Sequence, residues 1–187
     1  MKGFLFLALL LTQCPPPNEP TMNDSVTLFD FQTDTPADAW RIQDDVVMGG
    51  RSAGNFEITK EGYGRFHGEV SLENNGGFSS IQTFFETPVP VEGATHFLVR
   101  LRGDGSDYTF RVKHAAGARY WYQAKFSTTE GEWQTVRIPF GDLEPTFRGR
   151  RLDYGPFPGE EVHGIQFLIG NKRAQDFEVW LDWMAAE

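Results

Sequence analysis

The feature that most constrains this chain is a period of two. From residue 26 onward apolar residues recur at every second position, and no segment sustains a 3.6-residue repeat. Phe97, Val99 and Leu101 alternate with Leu98, Arg100 and Arg102. Tyr108, Phe110 and Val112 alternate with Thr109, Arg111 and Lys113, and Tyr120, Tyr122, Ala124 and Phe126 with Trp121, Gln123 and Lys125. Val136/Ile138, Ile165/Phe167/Ile169 and Phe177/Val179/Leu181 repeat the pattern. Successive side chains of an extended segment point to opposite faces, so each run reads as a strand with one core face and one wet face. Gly, Pro and Asp turns separate the runs, which predicts an all-β antiparallel sandwich. A chain of 187 residues, 40% hydrophobic and 14% aromatic, can bury one such core and hardly two, so residues 26–187 read as a single domain.

Three glycine-turn segments punctuate the alternation: VVMGGRS (46–52), LENNGGFSS (72–80) and LRGDGSDY (101–108). Paired glycines beside small polar residues let the backbone take positive φ and turn sharply. Together with Tyr120, Phe126, Trp133, the IPF at 138–140 and the FRGR at 147–150, these segments resemble the complex I intermediate-associated protein 30 family over roughly residues 27–183. The resemblance implies a jelly-roll β-sandwich of the galactose-binding-domain-like type, akin to carbohydrate-binding modules, with no established catalytic centre. It also implies a binding or assembly role, since the family's mitochondrial members chaperone the assembly of respiratory complex I.

The N-terminal residues read as an address. In residues 1–13 a single basic residue, Lys2, precedes the apolar run Phe4 to Leu11, which is too short to span a bilayer and has the length of a signal-peptide core. Cys14, the only cysteine, follows at once, which is the arrangement of a bacterial lipoprotein whose thiol is lipidated and becomes the new N-terminus. Gln13 departs from the small residue usual before such a cysteine; a plain signal peptide or a buried helix is the alternative. Residues 14–25, rich in proline, then form an extended tether. This reading places the protein in the cell envelope, outside the cytoplasm, held to a membrane by lipid. A lone cysteine excludes an intramolecular disulfide framework and a cysteine-rich zinc site.

The formal charge of −9 argues against a general nucleic-acid binder. Residues 100–151 nevertheless hold ten Lys/Arg against six Asp/Glu. Two readings are open: a local basic surface, or ordinary ion pairing across neighbouring strands. If the strands over 97–137 are neighbours, parity puts Arg100, Arg111, Trp121 and Lys125 on one outer face. Tryptophan among fork-shaped donors suits an anionic sugar or acidic peptide. The competing reading is a solvated face, or one covered by a partner.

No catalytic constellation emerges. Gly50-Arg51-Ser52-Ala53-Gly54 spells G-x-S-x-G, but a nucleophile elbow needs a helix after the serine, and an alternating strand follows. His67, His96, His114 and His163 lack metal-ligand spacing. Arg102-Gly103-Asp104 spells an adhesion tripeptide inside a turn. Related jelly-roll modules hold calcium between their first and last strands, which makes Asp30 and Asp182 candidate ligands of a structural ion. Asp44, Asp45, Ser52, Asn74, Asn75, Ser79 and Ser80 form a candidate loop cluster whose role reads as structural. No organic cofactor is implied. The chain therefore reads as a non-catalytic, membrane-anchored binding or assembly module with a protein partner; the alternative is a carbohydrate-binding surface lipoprotein.

Cys14→Ser is expected to abolish acylation and release the protein from membranes, or leave it unprocessed. Intact-mass analysis of the membrane fraction checks this, and a mature N-terminus beyond residue 14 without lipid contradicts it.

Overall fold

The period of two becomes thirteen strands in the computed structural model, which describes residues 25–187. In chain order they are β1 (Val26–Asp30), β2 (Arg41–Ile42), β3 (Ala53–Ile58), β4 (Gly64–Val70), β5 (Ser79–Pro90), β6 (His96–Arg102) and β7 (Asp107–Lys113). There follow β8 (Trp121–Ser127), β9 (Trp133–Pro139), β10 (Glu144–Phe147), β11 (Arg150–Arg151), β12 (Glu161–Ile169) and β13 (Gln175–Ala186). The signal segment, Cys14 and the tether up to residue 24 lie outside the described residues.

Two antiparallel sheets form the sandwich. The smaller has six strands, in the order β3-β4-β13-β6-β9 with β1 alongside β13. The larger has seven, in the order β11-β10-β8-β7-β12-β5-β2. The apolar parities meet between them: Phe97, Val99 and Leu101 from one sheet and Tyr108, Phe110, Val112, Ile165 and Phe167 from the other are fully buried. Phe97 and Phe110 link the sheets with ring centroids 5.3 Å apart.

The LRGDGSDY segment carries the chain from the smaller sheet to the larger. Gly103 lies against Thr128, where a Cβ would collide with the threonine side chain. Asp104 then fixes the crossing, accepting the Ser106 N–H at 2.9 Å and the Glu178 N–H at 2.9 Å. The adhesion tripeptide is thus a crossover turn tied to β13.

The other two glycine motifs are joined by a pair of aspartates. The fully buried Asp45 carboxylate accepts the Ser52 N–H at 3.0 Å and hydroxyl at 2.6 Å, and the amides of Gly77 at 2.6 Å and Phe78 at 3.1 Å. Asp44 accepts the Gly54 N–H at 2.9 Å and the Ser79 hydroxyl at 2.5 Å. The glycines serve two needs. Gly77, with φ of 134°, takes a conformation that other residues adopt only under strain, whereas Gly50 leaves room for Asp45, whose carboxylate a Cβ would strike.

Burial alone would raise the Asp45 carboxyl, but the Ser52 hydroxyl and the three amides outweigh it and hold the group below the ordinary aspartate range. The fold therefore binds the ionised form. Its contribution is complete above an ordinary aspartate value of about 3.9 and is lost as pH falls through the lowered value. Ser52→Ala should cost about 1.5 kcal/mol and Asp45→Ala about 3 kcal/mol at pH 7, by urea unfolding. Melts carried down to pH 3 should show a flattened acid limb in Asp45→Ala. An acid limb identical to wild type would mean that the ionised carboxylate is not what holds the loops.

Candidate functional site

Strand register writes two transverse rows on the outer face of the larger sheet. One sets Thr146 opposite Trp121 and, next to Trp121 across β7, continues Lys113–Gly164–Phe84 to β5. The missing side chain at Gly164 is what lets Phe84 lie over the sheet, since a Cβ there would sit 2.8 Å from the Phe84 ring. The Phe84 and Trp121 ring centroids are 5.8 Å apart, and the Lys113 ammonium lies 5.8 Å and 5.0 Å from them. That ammonium also donates to the Ala118 carbonyl at 2.6 Å.

The neighbouring row is polar: Glu144–Gln123–Arg111–Gln166–Gln82–Arg41. Arg111 Nε donates to Gln123 Oε1 and its Nη1 to Gln166 Oε1, both at 3.0 Å. The Gln166 amide in turn donates to Ser80 Oγ at 3.2 Å and Gln82 Oε1 at 3.4 Å. Ser80 Oγ donates to the Gln43 carbonyl at 2.7 Å, so one hydrogen-bonded chain crosses the sheet. Gln166 is 3% exposed, and a buried amide that donates twice and accepts from Arg111 holds the row in one geometry.

A groove of about 740 Å³ lies over part of these rows, with Arg111, Gln166, Trp121 and Thr146 in its lining and Gln123, Gln82 and Phe84 beside it. Arg111, Trp121 and Gln166 are on its floor. One wall is the 77–78 loop fastened by Asp45; the other is the β10–β11 hairpin, whose Arg148 and Gly149 turn with φ of 48° and 75°. The FRGR motif is this hairpin, and it presents Phe147, 38% exposed, to the groove.

The four residues expected on one face divide. Arg111 and Trp121 share the groove floor, and Lys125 is exposed on the same face beyond its lining. Arg100 is a correction: it lies on β6 in the other sheet, donating to Thr135 Oγ1 at 3.4 Å, because the 103–106 crossover separates the strands that parity alone made neighbours. Its surroundings form a separate transverse row, Glu57–Arg65–Trp180–Arg102–Trp133. Arg65 is paired there with Glu57 and Glu178, and Arg102 lies 4.5 Å from the Trp180 ring. Among the described residues, only Arg137 and Arg151 of the ten bases in 100–151 form ion pairs.

Ser52 is spoken for: it donates to Asp45 and accepts the Ser71 N–H at 3.0 Å, and no histidine is among its partners. Asp30 accepts from Gln32 Nε2 at 2.8 Å. Burial, and then the Asp30 charge, push the Asp182 carboxyl up. Two carboxylates supply a small part of the six to eight oxygens that calcium takes, and among the described residues no group of three or more His, Cys, Asp or Glu could hold a metal.

Sequence reasoning missed Gln82, Phe84, Gln166 and Arg148. Gln166 was legible as an outward residue, since it alternates with Ile165 and Phe167, on the strand that pairs directly with that of Arg111. Phe84 was not, because its position depends on Gly164, eighty residues away along the chain.

A jelly-roll β-sandwich with a groove across its larger sheet is the class that fold and site define. Within that class the chain belongs to the complex I intermediate-associated protein 30 family, whose model matches residues 29–181. It is 26% identical over 184 residues to the mitochondrial complex I intermediate-associated protein 30 of Drosophila melanogaster, covering 86% of this chain and 62% of that protein. In fold it is similar to the family 11 carbohydrate-binding module of a cellulosomal cellulase of Clostridium thermocellum, with a TM-score of 0.58 at 15% identity over 87% of this chain and 93% of that one. The same bacterium's family 11 module in complex with a β-1,3-1,4-mixed-linked tetrasaccharide aligns with a TM-score of 0.55 at 16% identity, covering 87% and 94%.

Proposed function

We propose that this protein is a non-catalytic binding module, held in the cell envelope by lipid on Cys14, that takes a saccharide chain in the groove of its larger sheet. The observation that carries this reading is the polar row Gln123–Arg111–Gln166–Gln82 lying beside the Trp121 and Phe84 rings. A sugar offers an apolar ring face and a fringe of hydroxyls. An aromatic plate beside fixed amide and guanidinium groups meets both, and the side-chain network spares the cost of ordering them on binding. The groove's volume of about 740 Å³ falls within the usual range of small-ligand sites, about 300–1,000 Å³. The fold is also that of a module solved with a tetrasaccharide bound. Ser52 is committed to Asp45, which supports a role without catalysis.

Family membership favours a second reading, in which the groove holds a segment of a protein undergoing assembly. Affinity electrophoresis through gels containing soluble polysaccharides separates the two. The wild-type protein should be retarded in at least one gel, and Trp121→Ala should migrate freely while melting within about 1 °C of wild type. Tyr122→Ala, which empties a core position 4% exposed, should instead cost about 3 kcal/mol of stability. No retardation in any gel, with a defined protein captured from solubilised membranes by wild type and lost in Trp121→Ala, would transfer the groove to the assembly reading.

A further inference from the structure

The charge of the groove is at odds with the charge of the protein. The chain carries 26 acids against 17 Lys/Arg, yet the groove is lined by Arg111, Arg119 and Arg148 and by no acid. None of the three arginines has an ion-pair partner among the described residues. Resting on the saccharide reading above, we infer that the groove selects an anionic saccharide, with a carboxylate or sulfate group seated on the Arg111 guanidinium.

Arg111 is the innermost of the three cations. It is enclosed in the floor of the sheet, and burial pushes its pKa down to about 10, so it stays charged at neutral pH without a countercharge. Enclosing an uncompensated cation is costly, and proteins normally set a carboxylate beside it. Here its bonds go to two amide oxygens, Gln123 Oε1 and Gln166 Oε1. Those two bonds fix the plane of the guanidinium and use two of its five donors. Glu144, the acid at the end of the same row, is held by Arg151 at 2.8 Å. Lys113, on the adjacent row, is held by the Ala118 carbonyl. A positioned fork with unused donors, facing a groove without acids, is complementary to a planar carboxylate or to a sulfate.

The two rim arginines extend the field. Arg119 and Arg148 are exposed, and Arg148 lies 5.3 Å from the Phe147 ring, beside the aromatic surface on which the sugar would stack. Exposed cations at a groove mouth raise the local concentration of anions and speed their encounter, an effect that salt screens. Against a body of formal charge −9, that local field would also turn the groove toward acidic polymers that the rest of the surface repels.

Isothermal titration of the lipid-free mature chain tests this with three oligosaccharides of equal length: a uronate, a sulfated one and a neutral β-glucan. The uronate or the sulfated ligand should bind about tenfold or more tightly than the neutral one at 50 mM NaCl, and the advantage should shrink severalfold in 0.5 M NaCl. Whichever of the two charged ligands binds tighter names the anionic group. Arg111→Met should erase the advantage. Because Arg111 ties strands together, Arg148→Ala serves as a second variant: it should reduce the advantage severalfold with an unchanged melting temperature. Equal affinity for the neutral ligand overturns the anionic inference and leaves the saccharide reading standing. No binding of any oligosaccharide overturns both. A poly-glutamate peptide that displaces the charged oligosaccharide at lower concentration than its own competitor sugars assigns the groove to an acidic protein segment and overturns the inference.

Discussion

One buried carboxylate holds together the parts of this domain that local propensity leaves loose. Asp45 sits in a short 3₁₀ turn, Ser52 leads into β3, and Gly77 and Phe78 lead into β5. Val46 and Leu72 in these segments remain exposed, so burial of those side chains does little to fix them. Four hydrogen bonds to one ionised group do so, and the fully buried carboxylate keeps its charge because each oxygen is supplied with donors. The 77–78 loop is also a wall of the groove, so the same interaction that closes the loops shapes the groove.

The groove itself follows from register. Antiparallel pairing sets Gln123, Arg111, Gln166 and Gln82 side by side on four successive strands, where long polar side chains can bond across the sheet. One residue along each strand, the parity turns inward and the core begins. Glycine at 164 in the next row leaves space that Phe84 fills from the adjacent strand, which sets an aromatic ring toward Trp121. A single small residue thereby converts a flat sheet face into one with an apolar strip beside a polar one.

Much of this was legible in the sequence. Inward residues such as Phe110, Val112 and Tyr122 and outward ones such as Arg111, Trp121 and Gln123 follow from alternation, because a strand has only two faces. Alternation does not say which sheet a strand joins. Arg100 and Arg111 have the same parity, yet the Gly103–Ser106 crossover sends them to opposite outer surfaces of the sandwich. Nor does local pattern reveal contacts that pair distant segments, such as Gly164 with Phe84 or Asp45 with Gly77 and Phe78. The glycine motifs announced tight geometry; the aspartate beneath them supplied the reason.

The proposed function puts ligand recognition on the larger sheet. The chain has five tryptophans, and Trp121 stands on that sheet while Trp133 and Trp180 stand on the other. Their indole N–H signals give separate NMR reporters of the two outer faces. Titrating the ¹⁵N-labelled domain with a bound oligosaccharide should move the Trp121 indole signal and leave those of Trp133 and Trp180 in place. Movement of Trp133 and Trp180 with Trp121 unchanged would put recognition on the opposite face and contradict the account.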